Sequence, residues 1–220
     1  MTPSRLFVPG WGAPASLYRS GLPPGWEVLE LPSFAATGGD FGRYREWLRA
    51  VIAARPHPVT LAGHSMGGAL GVLAAIDEPE SVERLILVSP AGLPLAKPLR
   101  GSTLTGLGQI LRGCYPLAAF RQMVTNMVSA PRAAFRLARE VHDLDLTPEL
   151  EQVRARAIPC TVVGCSSDRL TTCAHCRRLA ALVGADYREL EAPDGHIWAV
   201  TQPRRLERVL ASGALRDGLR

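Results

Sequence analysis

The stretch "VTLAGHSMGGALGVLAA", from Val59 to Ala75, constrains this chain more than any other. A short β-branched and aliphatic run leads into a serine ringed by glycines, and the chain then continues in small and apolar residues with helical character. Strand, tight turn and helix therefore follow one another with no room for a loop. A helix leaving a strand this sharply must fold back against it, which requires glycine where the two backbones meet and a strained conformation at the turn residue. "GHSMG" (Gly63 to Gly67) has the G-x-S-x-G pattern of such a turn. In a chain with 21 glycines the pattern arises easily by chance, so its weight comes from the strand and helix that flank it.

The rest of the chain repeats that alternation. Strand-like runs lie at "RLFV" (5 to 8), "EVLEL" (27 to 31), "VTLAG" (59 to 63), "LILVS" (85 to 89), "IPCTVVG" (158 to 164) and "DYREL" (186 to 190). Between them are amphipathic stretches. In one, Asp40 is placed to cap, Tyr44, Trp47, Leu48, Val51 and Ile52 share a face, and Pro56 stops the helix. Others run from Thr172 to Val183, closed by Gly184, and from Pro203 to about Ala211. Alternating elements predict an α/β fold, a mostly parallel six-stranded sheet with helices on both faces. Residues 93 to 155 interrupt the pattern with helical segments, including "LTGLGQILRG", "PLAAFRQMVTNMVSA" and "PRAAFRLAREVHDL". The division expected is a core of residues 1–92 and 156–220 and an inserted helical cap of residues 93–155.

A serine hydroxyl is a weak nucleophile at neutral pH, so Ser65 needs a base to take its proton and an acid to orient the base. Two later strands end beside suitable residues: "CSSDRL" offers Asp168 and "EAPDGHIW" offers His196. The order serine, acid, histidine is the one found with this kind of turn. The plain alternatives are a helix-capping role for Asp168 and a solvated turn for His196. Asp194 is too close to His196 in the chain and is read as a turn residue. Acyl chemistry also needs donors for a developing oxyanion. The backbone N–H of Met66 follows the serine, and "VPGWG" after the first strand nominates the N–H of Trp11.

With "PGWG", "GHSMGG", "SSDRL" and "GHIW" in place, the chain resembles the α/β-hydrolase superfamily over residues 5–92 and 156–212. "GWG" followed by "APASLY" is similar to esterases that cleave the methyl ester of pimeloyl carrier protein. "GHSMGGALGVLAAIDEPESVERLILVSPAGL" is equally similar to carbon–carbon bond hydrolases and general carboxylesterases. The resemblance implies a cofactor-independent serine esterase acting on an ester or thioester. Acyl transfer, carbon–carbon bond cleavage and a non-catalytic ligand-binding protein are the alternatives. Pro9 stands where the superfamily usually has a histidine before the oxyanion-loop glycine, and the superfamily's amino-terminal antiparallel strands are missing.

Other features narrow the classes. The 25 basic and 20 acidic residues are scattered and carry no nucleic-acid-binding signature. No apolar run is long enough to span a bilayer and no signal peptide is recognisable, which implies a soluble, cytoplasmic protein. Five unevenly spaced cysteines are then expected as reduced thiols. "CAHC" (Cys173 to Cys176) has C-x-x-C spacing, but Cys160 and Cys165 at opposite ends of one strand would be about 16 Å apart, which rules out a four-thiolate zinc site. Neither a metal nor a cofactor is expected. His64 and His175 adjoin stronger candidates without a task of their own, and His57 and His142 read as surface residues. In the cap, Phe120, Met123, Val124 and Met127 share a helical face suited to an acyl pocket or to plain packing. Arg132, Arg136 and Arg139 recur at i, i+4 and i+7, either a solvated basic face or a dock for an acidic acyl carrier protein.

Overall fold

The computed structural model describes residues 4–55, 58–96, 101 and 116–213. Its strands β1 (Ser4–Val8), β2 (Trp26–Val28), β3 (Val59–His64), β4 (Val82–Val88), β5 (Cys160–Cys165) and β6 (Asp186–Leu190) form one sheet in the order β2-β1-β3-β4-β5-β6. Every neighbouring pair is parallel. The helices are α1 (Phe34–Thr37), α2 (Phe41–Ala53), α3 (Met66–Asp77), α4 (Leu117–Ser129), α5 (Pro131–Asp143), α6 (Thr147–Ala155), α7 (Cys173–Val183), α8 (Trp198–Thr201) and α9 (Pro203–Gly213). Part of the expected cap, including "LTGLGQILRG", lies outside the described residues, as do Pro56 and His57.

The inner strands are apolar on both sides because both sides are covered. Leu6, Val8, Leu61, Leu85, Leu87 and Val162 join one cluster with α2, α3 and α7, while Phe7, Ala62, Ile86, Val88 and Val163 join another with Trp198, Leu206 and Leu210. This period-two division is what a sheet buried between two helical layers produces. In the layer with α2 and α7, α3 is enclosed all round: Met66 through Ala75 are all buried. Its first turn needs glycine, since a Cβ at Gly68 would fall 2.8 Å from the Pro90 Cβ.

Local signals set the boundaries. Asp40 accepts a hydrogen bond from the Arg43 N–H at the start of α2, and Thr172 does the same for His175 at the start of α7. Gly184 ends α7 in the left-handed conformation, with φ of 70°. The second strand is shorter than "EVLEL" suggests. It lies at the sheet edge with β1 as its one neighbour, and after Leu29 donates to the Phe7 carbonyl, pairing stops before Pro32.

Helices α4 and α5 lie over the segment that follows β2. Asn126 Oδ1 accepts from the Phe34 N–H at 3.1 Å, and Glu140 Oε2 accepts from the Phe41 N–H at 2.8 Å. Gly39 sits so close to α5 that a Cβ there would fall 1.9 Å from the Ala133 carbonyl oxygen. By contrast α6, the last part of the insertion, packs on α3 and α7 with Leu150 and Val153 buried in the core. It therefore belongs to the same helical layer as the core helices.

The chain runs outward from β1 to β2 and returns to β3 on the other side of β1, so the loops after β1 and β3 diverge. In open parallel sheets the crevice beyond such a reversal, at the carboxyl ends of the strands, is where ligands bind. Here those loops are Pro9–Gly12 and the turn at Ser65.

Candidate active site

Ser65 lies between β3 and α3 with φ 54° and ψ −118°, a conformation that L residues rarely adopt. Holding a non-glycine residue there costs about 1–3 kcal/mol, so its surroundings must over-determine it. They do. The Ser65 N–H donates to the Val88 carbonyl at 3.0 Å, and the Ser65 carbonyl accepts from Gly68, Ala69 and Ala91. Gly67 is required by the approach of α3 to β1: a Cβ there would lie 2.2 Å from the Val8 carbonyl oxygen.

Asp168 follows β5, and its N–H closes a turn onto the Cys165 carbonyl at 3.0 Å. His196 follows β6 in a short 3-10 turn, Gly195–Ile197. Ser65, Asp168 and His196 thus leave the carboxyl ends of three different strands and meet at one edge of the sheet. His196 Nε2 is 2.8 Å from Ser65 Oγ, and His196 Nδ1 is 2.8 Å from Asp168 Oδ2. Asp168 is almost wholly buried. Burial by itself would raise its pKa, but the adjacent His196, the Leu170 N–H and the Thr171 hydroxyl together hold it below the usual carboxylate range. An ionised Asp168 keeps the His196 proton on Nδ1 and leaves Nε2 free to accept from the serine.

The Met66 N–H is the first donor of α3, ahead of the ladder that begins with Gly68 and Ala69 on the Ser65 carbonyl. Trp11 is the second residue of a turn closed by the Ala13 N–H on the Gly10 carbonyl at 3.1 Å, with Gly12 at φ 65°. Gly10 lies directly against the elbow, where an added Cβ would be 3.4 Å from the Ser65 Cβ.

Two residues contribute polar contacts that sequence reasoning did not assign. Thr171 Oγ1 lies 2.9 Å from Asp168 Oδ2, 3.2 Å from His196 Nδ1 and 3.1 Å from the Ser89 carbonyl. Its only sequence signal was its place three residues after the acid. His64 is buried with Nδ1 2.9 Å from the Tyr18 hydroxyl and Nε2 2.9 Å from the His196 carbonyl. Burial, with the neighbouring His196 adding to it, pushes its pKa down to about 3. Asp194 serves its turn by accepting from Gln202 Nε2 at 2.5 Å.

The cap candidates fare differently. Met123 is buried, Phe120 is half-buried and Met127 packs on the core. A groove of about 570 Å³ beside Gly12 and Phe34 is instead lined by Arg121, Gln122, Thr125 and Asn126, another face of the same helix. Arg132 is exposed, but Arg136 bonds Asp40 at 2.7 Å and Glu140 at 2.8 Å, and Arg139 lies 3.8 Å from Asp143. The expected basic face is therefore largely charge-compensated. His142 is also not a plain surface residue. Its side chain is 11% exposed and its Nδ1 lies 2.7 Å from Asp143 Oδ1.

A redox role for the C-x-x-C pair would need lowered thiol pKa values, whereas burial pushes both Cys173 and Cys176 up. Among the described residues no group of three or more His, Cys, Asp or Glu side chains is placed to hold a metal ion, and no helix is long and apolar enough to cross a membrane.

Comparison with solved structures finds the same fold. The esterase EaEST from Exiguobacterium antarcticum superimposes with a TM-score of 0.75 at 17% identity, covering 96% of this chain and 92% of that one. A lipase-esterase related protein from Clostridium acetobutylicum gives 0.74 at 16% identity, over 95% and 93% of the two chains. A thioesterase domain from the curacin biosynthetic pathway gives 0.63 at 18% identity, over 95% and 90%. In sequence, 47 residues are 53% identical to the monoglyceride lipase of Rattus norvegicus, a stretch that makes up 21% of this chain and 15% of that lipase. The alpha/beta hydrolase family model matches residues 6–209, from the first strand into the last helix, and on that match the chain belongs to the alpha/beta hydrolase family.

Proposed function

We propose that this protein is a cofactor-independent serine hydrolase that cleaves carboxylic esters or thioesters through an acyl-enzyme. The observation that carries the reading is the unbroken line from Ser65 Oγ through His196 to Asp168, each link 2.8 Å. His196 takes the Ser65 proton as Oγ attacks the substrate carbonyl, and Asp168 steadies the imidazolium that forms. The N–H groups of Trp11 and Met66 receive the oxyanion. His196 then protonates the leaving group, and water, activated by the same histidine, releases the acid. In this reading residues 1–92 and 156–220 are the catalytic core and residues 93–155 the insertion, of which α4 and α5 form the cap while α6 packs with the core helices. A cytoplasmic setting suits the free thiols of Cys160, Cys165, Cys173 and Cys176.

The narrower substrate, a methyl ester on an acyl carrier protein, depends on Arg132, Arg136 and Arg139 as a docking face. Because Asp40, Glu140 and Asp143 answer two of those charges, a free ester is the better-supported substrate.

The test is hydrolysis of p-nitrophenyl esters of graded chain length, with fluorophosphonate labelling and product analysis. The reading expects turnover to free acid, label on Ser65, and a loss of about ten-thousand-fold or more in kcat for folded Ser65→Ala. Labelling elsewhere, or near wild-type turnover by Ser65→Ala, would overturn it. Transfer to an added alcohol in place of water would identify an acyltransferase. Turnover confined to carbon–carbon bonds, or none with any substrate, would favour the other two alternatives.

A further inference from the structure

His64 is a buried imidazole directly before Ser65, with its ring centroid 5.0 Å from that of His196, and the proposed chemistry gives it no task. Its hydrogen bonds fix its state. The His196 carbonyl can only accept, so His64 Nε2 must carry the proton and donate to it at 2.9 Å. A neutral imidazole then has Nδ1 free to accept, and the Tyr18 hydroxyl, 2.9 Å away, donates to it. The Tyr18 oxygen in turn accepts from the Gly10 N–H at 3.3 Å. Because burial holds His64 neutral, this polarity persists throughout the working pH range.

The line starts in the loop that carries Trp11, runs through the residue before Ser65 and ends on the backbone of the turn that carries His196. It ties together the two segments whose spacing about the serine decides whether oxyanion donors and base fit one transition state. We propose that Tyr18 and His64 are positioning residues that hold the Gly10–Trp11 loop and the His196 turn at a fixed separation across Ser65. The inference rests on the roles proposed above for Ser65, His196 and Trp11. It deepens them by adding a connection that no side chain of the triad provides.

The expected consequence is specific. Tyr18→Phe keeps the ring, with its contacts to Phe7 at 4.9 Å and to the His64 ring at 5.8 Å, and removes only the hydroxyl that joins Gly10 to His64. Substrate binding away from the reacting carbonyl is untouched, so kcat should fall about tenfold with KM unchanged. That is 1.4 kcal/mol, about the worth of one buried hydrogen bond. The rate of fluorophosphonate labelling should fall in parallel, because it needs the same donors and base.

The experiment measures kcat, KM, labelling rate and melting temperature for wild type, Ser65→Ala, Tyr18→Phe, His64→Leu and the Tyr18→Phe/His64→Leu double variant, with p-nitrophenyl butyrate. If the two residues act through one line, the double variant is no slower than His64→Leu alone. A kcat loss in Tyr18→Phe with unchanged KM, and a double variant equal to the worse single one, supports the proposal. Inactive Ser65→Ala beside Tyr18→Phe with wild-type kcat, or losses that multiply in the double variant, overturns the positioning line and leaves the nucleophile standing. Active Ser65→Ala overturns both. Should His64→Leu fail to fold, the split between kcat and KM in Tyr18→Phe decides.

Discussion

Replacing Asp168 by asparagine should abolish most of the turnover while leaving the fold intact, for a reason that can be worked out atom by atom. Asp168 Oδ1 accepts from the Leu170 N–H at 2.8 Å and the Thr171 N–H at 3.1 Å, while Oδ2 faces Thr171 Oγ1 at 2.9 Å and His196 Nδ1 at 2.8 Å. In Asp168→Asn the amide has two orientations. With its oxygen toward the two backbone donors it satisfies both. Flipped, it sets an NH2 against two N–H groups and leaves them unpaired at about 1–3 kcal/mol each. The first orientation therefore dominates and aims the NH2 at His196 Nδ1. His196 must then accept at Nδ1, its proton moves to Nε2, and the base can no longer take the Ser65 proton. A wrong tautomer of this kind costs about ten-thousand-fold in kcat in serine proteases. The same loss is expected here with p-nitrophenyl butyrate at pH 8, with the fold retained by circular dichroism. The His196 ring nitrogens in an NMR spectrum should report the proton on Nε2. A folded Asp168→Asn protein within tenfold of wild-type kcat would refute this reasoning.

Other outcomes follow from the same geometry. Since the folded-state pKa of Asp168 is depressed, the folded protein binds fewer protons than the unfolded chain in the acid range, and stability there rises with pH. The contribution is complete above about pH 4 and is lost as pH falls toward the depressed value. Denaturant midpoints of wild type should consequently fall more steeply below pH 4 than those of Asp168→Asn. Gly67→Ala drives a Cβ to 2.2 Å from the Val8 carbonyl oxygen, so the strand–helix contact must open; calorimetry should show a loss of about 3 kcal/mol, or about 6–12 °C in Tm. Gly39→Ala, with a Cβ 1.9 Å from the Ala133 carbonyl oxygen, should loosen α5 from the loop after β2, seen as faster amide exchange in α5. Burial raises the Cys176 thiol well above its usual range, so iodoacetamide at pH 7.5 should leave it unmodified in the native protein and modify it after denaturation, read by mass spectrometry.

What could be read from the sequence, and what could not, divides along the range of the interactions. The triad candidates were legible because each stands just past the carboxyl end of a strand, and a parallel sheet brings such ends to one edge whatever the intervening loops do. Ser65 could be placed from its immediate neighbours, since Gly63 reports a backbone contact within the same turn, a Cβ there falling 2.2 Å from the Gly67 carbonyl oxygen, while Gly67 reports the approach of α3 to β1. Arg132, Arg136 and Arg139 have the spacing of one helical face, and α5 spans them. The ion pair of Arg136 with Asp40 was not legible, because Asp40 lies 96 residues away on a loop whose place under α5 no local pattern encodes. His64 shows the same limit more sharply. Its neighbours in sequence mark a strand end, yet its tautomer and neutrality are set by Tyr18, 46 residues earlier, and by a carbonyl 132 residues later. A residue defined by backbone position carries its signal in the few letters around it. One defined by a polar partner across the sheet acquires its role only when the fold delivers that partner, so the proposed nucleophile and base carry local signals, whereas Tyr18 and His64, proposed to hold the Gly10–Trp11 loop and the His196 turn at a fixed separation, do not.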